Sequence, residues 1–494
     1  MHLDSVAAQP TVSGHCPPAQ PTNPTAGGGH CPTIAAIATP NGPGGIGIVR
    51  VSGPGAISIA ESLFHRKNRP SSQLRDIKMA YGIIIDPNNR EEFFPADLIS
   101  GAAQPTAQVD EAICLVFRSP HSYTGEDVVE LQCHGSQVVL RRVLEAVLRA
   151  GARLAEPGEF TRRAYLNGRI DLAKAEAVMQ LVRAGSEQAA RAAATALGGA
   201  LSRRVAGIRQ QLIFQAAQIA AWADYPEEEF DDPGAEQIMA VLSTAADQLS
   251  RLIQRGAAGQ AVISGVSTAI VGPPNAGKSS LMNRLAGYDR SIVTEIPGTT
   301  RDTITETIQL GNLTLRLTDT AGLRESGHPI EHMGVERSQA AMAGADLVLA
   351  VFDITQPIDQ SLLAGCDPAR TLVVLNKCDL SAKNTALEFP FPPVACSALT
   401  GQGMDDLAQA IEALFGTADF SPNEAILANH RQAESARDAL ASIEGAQSAL
   451  REGYPLDAVA ICMEDAIQAL YSLTGERATE SIVDEVFASF CVGK

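Results

Sequence analysis

The chain has 494 residues, 45% of them hydrophobic and 19% charged, enough for about three folded domains. Its formal net charge of −18 excludes a protein that wraps nucleic acid by charge alone, so any RNA contact needs a local basic patch or a partner. No apolar run reaches the roughly 18 residues of a membrane span, and nine cysteines, an odd number without a C-x-x-C pair, suit reduced thiols in a cytoplasmic protein.

Residues 1–31 are rich in Pro, Ala, Gly and Thr and read as a disordered extension or a misassigned start. They lack the basic start and apolar core of a signal peptide. They carry a near-repeat, Gly14-His15-Cys16-Pro17 and Gly29-His30-Cys31-Pro32, whose two His-Cys pairs could also hold a metal. From residue 32 to 166 short strands alternate with amphipathic segments, which predicts an α/β domain. Gly42-Pro43-Gly44-Gly45-Ile46-Gly47 is a literal G-x-G-x-x-G. A dinucleotide fingerprint must open a helix. Here Ile48-Val49-Arg50-Val51 is a β-branched strand, so the glycines are expected to form a tight turn between two strands. Glu111 to Phe117 and Asp127 to His134 read as further strands, and on residues alone Arg50 and Glu130 are edge or surface charges.

From Asp171 the periodicity turns helical. Ala173 to Val182 and Glu187 to Leu197 repeat apolar residues at helical spacing among good helix formers. Helices are expected to continue to about Arg255, making residues 167–260 the first part of a helical domain. The acidic run from Glu227 to Asp232 reads as a solvated loop between helices, and Gly256 to Gly265 reads as a linker.

Residues 265–418 carry the most specific chemistry. Thr268-Ala269-Ile270-Val271 reads as a buried strand, and Ser280 to Ala286 as a helix. Between them Gly272-Pro273-Pro274-Asn275-Ala276-Gly277-Lys278-Ser279 matches the phosphate loop G-x-x-x-x-G-K-[ST]. Glycines let the backbone wrap a phosphate chain with its N–H groups turned inward, and the helix N-terminus adds its positive dipole end. Lys278 reaches the outer phosphates, and the Ser279 hydroxyl can ligate Mg²⁺. Thr299 and Thr300 offer a hydroxyl to complete the Mg²⁺ shell. Asp319-Thr320-Ala321-Gly322 follows the alternating strand Leu313 to Leu317; its carboxylate can hold Mg²⁺ through water, and Gly322 can present an N–H to a γ-phosphate. Asn376-Lys377-Cys378-Asp379 follows the apolar run Leu372 to Leu375, at a strand's carboxyl end, where open α/β sheets bind ligands. A carboxylate there accepts both N–H groups of guanine's Watson–Crick edge, a pair that adenine cannot supply. Ser397-Ala398-Leu399 reads as the loop that closes on the base. The four motifs in this order predict a GTP-binding domain. Leu323 stands where many GTPases place a water-orienting glutamine. Glu331 and Arg324 are candidates for that role, or ordinary solvated charges.

Helices resume at Asn423 to Arg451, Leu456 to Leu473 and Ala478 to Phe490, so residues 419–494 read as the second part of the helical domain. Helices on both sides of residues 265–418 imply one helical domain with the nucleotide domain inserted into it, so that switch motions pass into the helices. The chain ends Cys491-Val492-Gly493-Lys494.

The phosphate loop, Gly298-Thr299-Thr300-Arg301-Asp302, Asp319-Thr320-Ala321-Gly322-Leu323-Arg324 and this C-terminal Cys-Val-Gly-Lys together resemble the tRNA-modification GTPases of the MnmE (TrmE) family, over nearly the whole chain from Thr33. The resemblance implies a multidomain α/β plus all-α fold: an N-terminal folate-binding α/β domain that also dimerises, a helical domain, and an inserted Ras-like P-loop GTPase domain. It implies GTP contacts from Asn275, Ala276, Gly277, Lys278, Ser279, Ser280, Thr294, Thr299, Thr300, Asp319, Thr320, Ala321, Gly322, Asn376, Lys377, Asp379, Ser397 and Ala398, with Mg²⁺ on Ser279, Thr300 and Asp319. It implies that K⁺, held by Asn275, Thr294, Ile296 and Thr299, and G-domain dimerisation replace an arginine finger. Glu331 corresponds to the family's catalytic glutamate, flanked here by His328-Pro329-Ile330 and His332 where the family is more acidic.

The same resemblance implies a tetrahydrofolate derivative, 5-formyl- or methylene-, bound by Arg50, Glu130, Arg169 and Lys494. Basic side chains suit the glutamate tail, and a carboxylate suits the pterin N–H edge. Arg169 stands where other members can have lysine, which changes the geometry but not the charge. Cys491 is implied to lie near the folate and to be needed for modification, as a thiolate or in proton transfer. The implied activity is K⁺-activated GTP hydrolysis by a homodimer. With a FAD-dependent MnmG-type partner, in a heterotetramer or larger complex, it adds a carboxymethylaminomethyl or aminomethyl group at C5 of the wobble uridine of certain tRNAs. A ribosome-assembly GTPase or a regulatory switch would share the nucleotide motifs. The N-terminal α/β domain and the Cys491 to Lys494 ending argue against the former.

Overall fold

A computed structural model describes residues 31–66, 74, 77–86, 108–224, 234–288, 305–311, 313–318, 342–358, 363, 366–380, 389, 393–418, 420–488 and 490–493. The His-Cys repeat of the first 31 residues, Cys31 apart, and the acidic run Glu227 to Asp232 lie outside them.

The N-terminal β-branched runs pair as a seven-stranded sheet in the order β3-β4-β5-β6-β2-β1-β7. Its strands are β1 (Ile34–Ile37), β2 (Gly44–Ser52), β3 (Phe64–Arg66), β4 (Met79–Ile85), β5 (Gln108–Phe117), β6 (Val128–Gly135) and β7 (Arg153–Leu154). Helices α1 (Ala56–Leu63) and α2 (Gln137–Arg149) cover one face, where Val49, Val51, Ile84, Cys114, Val129 and Leu131 meet Leu140, Val143 and Val147. Period-two alternation sends the intervening residues to the other face. There Met79, Tyr81, Ile113 and Phe117 stay exposed. The cross-strand pairs Tyr81↔Ile113, Leu115↔Glu130 and Glu130↔Arg50 carry this open face across β4, β5, β6 and β2.

The glycines expected in a turn lie partly inside β2. Gly44 and Gly47 both pair with β6, with a register irregularity between them. A Cβ on Gly47 would lie 2.4 Å from the Leu140 side chain, and one on Gly135 2.3 Å from the Gly44 carbonyl oxygen. Close approach of α2 and β6 therefore requires these glycines, in addition to any turn.

Helix α3 (Glu159–Leu166) leads into the helical region: α4 (Leu172–Arg183), α5 (Glu187–Leu197), α6 (Ala200–Asp224) and α7 (Ala235–Ser264). Asp171 caps α4 by accepting the Lys174 N–H, and Ser186 caps α5 through the Ala189 N–H. The expected linker over Gly256 to Gly265 is instead the last two and a half turns of α7, closed by Gly265 as its C-cap. A Cβ at Gly259 would lie 2.0 Å from Ile426 Cγ2, and one at Gly256 would lie 3.3 Å from Leu427 Cβ. These glycines are notches that receive another segment rather than hinges.

The inserted domain follows. Its six-stranded sheet has the order β13-β12-β11-β8-β10-β9, built from β8 (Val266–Val271), β9 (Thr305–Leu310), β10 (Leu313–Thr318), β11 (Leu347–Asp353), β12 (Thr371–Asn376) and β13 (Pro393–Ala395). Every pairing is parallel except β9 with β10. The continuous apolar runs of β8, β11 and β12 are buried on both faces, as a parallel sheet requires. Helices α8 (Lys278–Tyr288) and α9 (Met404–Leu414) contribute Leu281, Leu285, Leu407 and Ile411 to one of its cores.

The chain then returns to the helical domain through α10 (His430–Arg451), α11 (Leu456–Thr474) and α12 (Glu480–Ala488). Helix α10 begins seven residues later than the sequence suggests, with Asn429 as its cap. Ile426 and Leu427, ahead of it, are non-helical and fill the α7 notches. Ile208 and Leu212 of α6, Leu242 and Leu249 of α7, Ile443 of α10 and Met463 and Leu470 of α11 share one core, so segments on both sides of the insertion form one domain. Farther along, Val483, Phe487 and Phe490 pack on Leu172, Ala175 and Met179 of α4.

A buried polar clasp ties α4 to α10 and α11. Glu176 accepts from Arg431 at 2.8 and 2.9 Å and from Gln432 Nε2 at 2.6 Å. Arg431 also donates to the Ser472 and Leu473 carbonyls that end α11. Glu176→Ala would leave the guanidinium without its counter-charge, and breaking such a pair costs on the order of 3 kcal/mol. Denaturant unfolding is expected to show that loss, with Glu176→Gln recovering part of it.

Candidate functional site

The phosphate loop leaves β8 and enters α8 under two close constraints. Gly272 has φ 150°, and a Cβ there would lie 2.1 Å from the Val351 carbonyl oxygen on β11. Gly277 has φ 93°, and its Cβ would lie 2.1 Å from Asn376 Nδ2. Asn275 is itself left-handed at φ 63°. The leading N–H groups of α8 have no intrahelical partner and open toward the loop. Lys278 folds back, its Nζ donating to the Gly272 and Pro273 carbonyls at 2.8 Å each. No carboxylate partner is within reach among the described residues, and burial holds its pKa below the usual lysine value. A partly buried ammonium held only by carbonyls, beside glycines that any side chain would displace, suits a polyanion such as a nucleotide's phosphates.

Asn376, at the carboxyl end of β12, is almost wholly buried and joins three loops. Its Nδ2 donates to the Ala276 carbonyl at 2.9 Å, and its Oδ1 accepts the Ala398 N–H at 3.0 Å. Lys377, left-handed at φ 67°, donates to the Asn275 carbonyl at 3.0 Å and to Asp353 at 2.6 Å. Burial alone would raise the Asp353 pKa. The Lys377 ammonium, with the hydroxyl and N–H of Thr355, outweighs it and holds the carboxyl below its usual range. Arg284 of α8 pins the last loop from the far side, its Nε donating to the Ala398 carbonyl at 2.8 Å and its other arm to that of Leu399. Ser397 turns that loop by accepting the Thr400 N–H at 3.1 Å. Ser279, Ser280 and Asp379 are exposed at the mouth.

So Asn275 to Ser280, Asn376, Lys377, Asp379, Ser397 and Ala398 converge on one site. Thr294, Ile296, Thr299, Thr300, Asp319, Thr320, Ala321, Gly322, Arg324 and Glu331 lie outside the described residues. The sequence reading missed Asp353 and Arg284. A carboxylate closing an apolar strand was a legible signal for Asp353, whereas one arginine on a helix face gives no warning that it will reach a loop 114 residues away.

A second cluster forms on the open face of the first sheet. Arg50 on β2 and Glu130 on β6 pair at 2.8 Å. Arg50 also donates to the Gly493 carbonyl at 3.3 Å, across 443 residues of chain. Its guanidinium lies 5.6 Å from the ring centres of both Tyr123 and Phe160. The Tyr123 hydroxyl meets that of Thr161 at 2.8 Å, and burial raises its pKa. The tail is seated by backbone. The Gly158 N–H donates to the Cys491 carbonyl at 3.3 Å, and Gly493, at φ 97°, passes so close to β1 that a Cβ would lie 2.4 Å from the Ile37 oxygen. This leaves Cys491 exposed near the Arg50–Glu130 pair. Arg169 packs beside Gly125, in the loop that carries Tyr123. Both contacts between Arg50 and Glu130 go to Oε1, so the other carboxylate oxygen has no partner among the described residues. Lys494 lies outside the described residues. Tyr123 and Phe160 were not foreseen.

Two family models match the chain: the TrmE N-terminus of GTP-binding proteins over residues 33–169, and the MnmE helical domain over residues 172–491. A protein of Symbiobacterium thermophilum named tRNA modification GTPase MnmE is 44% identical over 473 residues, covering 94% of this chain and 99% of that protein. One of the same name from Moorella thermoacetica is 43% identical over 481 residues, with the same coverage.

Gly277→Ala would force a methyl onto Asn376 and a disfavoured φ onto alanine. We expect GTP affinity to fall by about tenfold or more, about 1.4 kcal/mol, in equilibrium nucleotide titrations. Asp379→Asn exchanges an acceptor for a donor, so the same titrations should show preference moving from GTP toward xanthosine triphosphate, whose C2 carries a carbonyl.

Proposed function

The chain belongs to the MnmE family of tRNA modification GTPases and hydrolyses GTP; on that premise we propose that K⁺-activated turnover drives modification of the tRNA wobble uridine. The product would be a carboxymethylaminomethyl or aminomethyl group at C5, made in the cytoplasm with a FAD-dependent MnmG-type partner and a folate-borne carbon. The observation that carries this reading is the Arg50–Glu130 pair with the C-terminal tail docked on it. It brings an exposed thiol, a carboxylate with a free oxygen and two aromatic rings to one place, far in sequence from the nucleotide loops.

In this reading Glu130 accepts from the pterin amino edge, while Arg169 and Lys494 meet the glutamate tail. Arg50 orients Glu130 and anchors the tail through Gly493. Bound 5-formyl- or methylene-tetrahydrofolate would supply the one-carbon unit. Cys491 stands where it could act as a thiolate or pass a proton.

At the nucleotide, Lys278 would exchange its two carbonyl partners for phosphate oxygens. Mg²⁺ would rest on Ser279, Thr300 and Asp319. K⁺ on Asn275, Thr294, Ile296 and Thr299 would supply the positive charge that an arginine finger brings elsewhere. Glu331 orients the attacking water, since Leu323 cannot, with Arg324 as the nearby cation.

The open sheet face supports the homodimer. Met79, Tyr81, Ile113 and Phe117 present an apolar surface that a second copy would bury. Coupling to the helices has a contact to run through. Thr314 on β10 lies against Gly185 and Gly265, where a Cβ would come within 3.2 Å and 2.8 Å respectively.

GTP turnover is expected to rise severalfold or more when K⁺ replaces Na⁺, and Glu331→Ala should retain GTP binding while losing turnover. Equal rates in the two salts would remove the cation. Cys491→Ser should hydrolyse GTP normally, yet nucleoside mass spectrometry of tRNA from cells carrying it should show unmodified wobble uridines.

A further inference from the structure

Helices α6 and α7 and the segment returning from the nucleotide domain enclose a cleft of about 350 Å³. Three guanidinium groups line it: Arg204 from α6, and Arg251 and Arg255 from α7, with Gln248 beside them. Gln248, Arg251 and Arg255 recur at i, i+3 and i+7, so α7 offers them from one face. Arg255 pairs with Glu424, which lies between α9 and α10. Arg204 and Arg251 have no carboxylate partner among the described residues.

That is notable in a chain of net charge −18. Arg50, Arg153, Arg163, Arg209 and Arg431 each meet a carboxylate, and Arg203 and Arg284 are held by main-chain carbonyls. Three cations lining one cleft, with a single carboxylate among them, repel each other and attract a polyanion.

We propose that this cleft is an RNA docking site that grips the phosphate backbone of tRNA, resting on the tRNA reading above. Guanidinium forks match phosphate oxygens bidentately. The rest of the lining is Gln248, Leu252, Glu424 and Ala425, with no aromatic ring on which a base could stack. The grip is therefore on backbone and independent of sequence, which positions the substrate without reading it. Glu424 competes with phosphate for Arg255. Because it sits in the segment leaving the nucleotide domain, movement of that segment would alter the cleft's charge.

The test is fluorescence anisotropy of a labelled tRNA transcript against the full chain at several salt concentrations. Arg251→Glu should weaken binding about tenfold and flatten the slope of log affinity against log salt by about one. Arg204→Gln/Arg251→Gln should weaken it in the same direction with an unchanged melting temperature, and Glu424→Gln, which frees Arg255, should tighten it. Arg141→Glu, on α2 of the N-terminal domain, makes the same charge change elsewhere and should matter little. An unchanged affinity in Arg251→Glu, or an equal loss in Arg141→Glu, overturns the site. Loss of the flavoprotein partner with tRNA affinity intact overturns it too and makes the cleft a protein contact. A wild-type chain that binds no tRNA overturns the cleft as an RNA site, while wobble uridines left fully modified in cells lacking this chain would take down the tRNA reading itself.

Discussion

The contact on which this architecture turns is the buried carboxylate of Glu176 and the three groups it holds. An ionised carboxylate away from water is tolerable only when its lone pairs are filled. Here Arg431 and Gln432 fill them, 255 and 256 residues away in sequence, while Arg431 also satisfies the carbonyls that end α11. One network thus joins the middle of α4, the first turn of α10 and the last turn of α11. It also forces the chain back to the place it left before the nucleotide domain began. An apolar contact of similar size would tolerate sliding, whereas directed hydrogen bonds to a single carboxylate do not.

The same economy recurs at the nucleotide site. Asn376 is a base-side residue by motif, yet both ends of its amide are spent on the loops beside it. Phosphate loop and base loops are therefore one rigid unit, and a change at either end is felt at the other. Gly277 exists where it does because that amide leaves no room for a Cβ. Lys278 waits on two main-chain carbonyls with its pKa lowered by burial, and a phosphate would take their place and oppose that shift.

The open face of the first sheet brings two properties together that the sequence keeps apart. Alternation puts Arg50 and Glu130 on the same side as Tyr81, Ile113 and Phe117, so a charged pair and an apolar surface share one face. The tail completes the site by backbone geometry, with Gly493 in a conformation and a gap that only glycine suits. Val483, Phe487 and Phe490 hold the tail in place by packing on α4, next to the clasp. Movement of the helical domain would therefore reach Cys491 directly.

The sequence by itself determined the local features whose causes are local. Phosphate-loop spacing, strand runs such as Leu372 to Leu375, helix caps at Asp171 and Ser186, and the order of motifs around the insertion all follow from residues near one another. It misled at glycine. Gly256 and Gly259 read as a linker because flexibility and close packing call for the same residue, and only the presence of Ile426 and Leu427 distinguishes the two. The late start of α10 has the same origin, since the residues before its cap are drawn out of helix to fill those notches. Only the tertiary structure decided that Arg284 reaches the base loop, that Tyr123 and Phe160 frame Arg50, that Asp353 anchors Lys377, and that Arg204, Arg251 and Arg255 share a cleft. Each is a meeting of side chains far apart in the chain, and periodicity records which face a residue takes but not what lies opposite it.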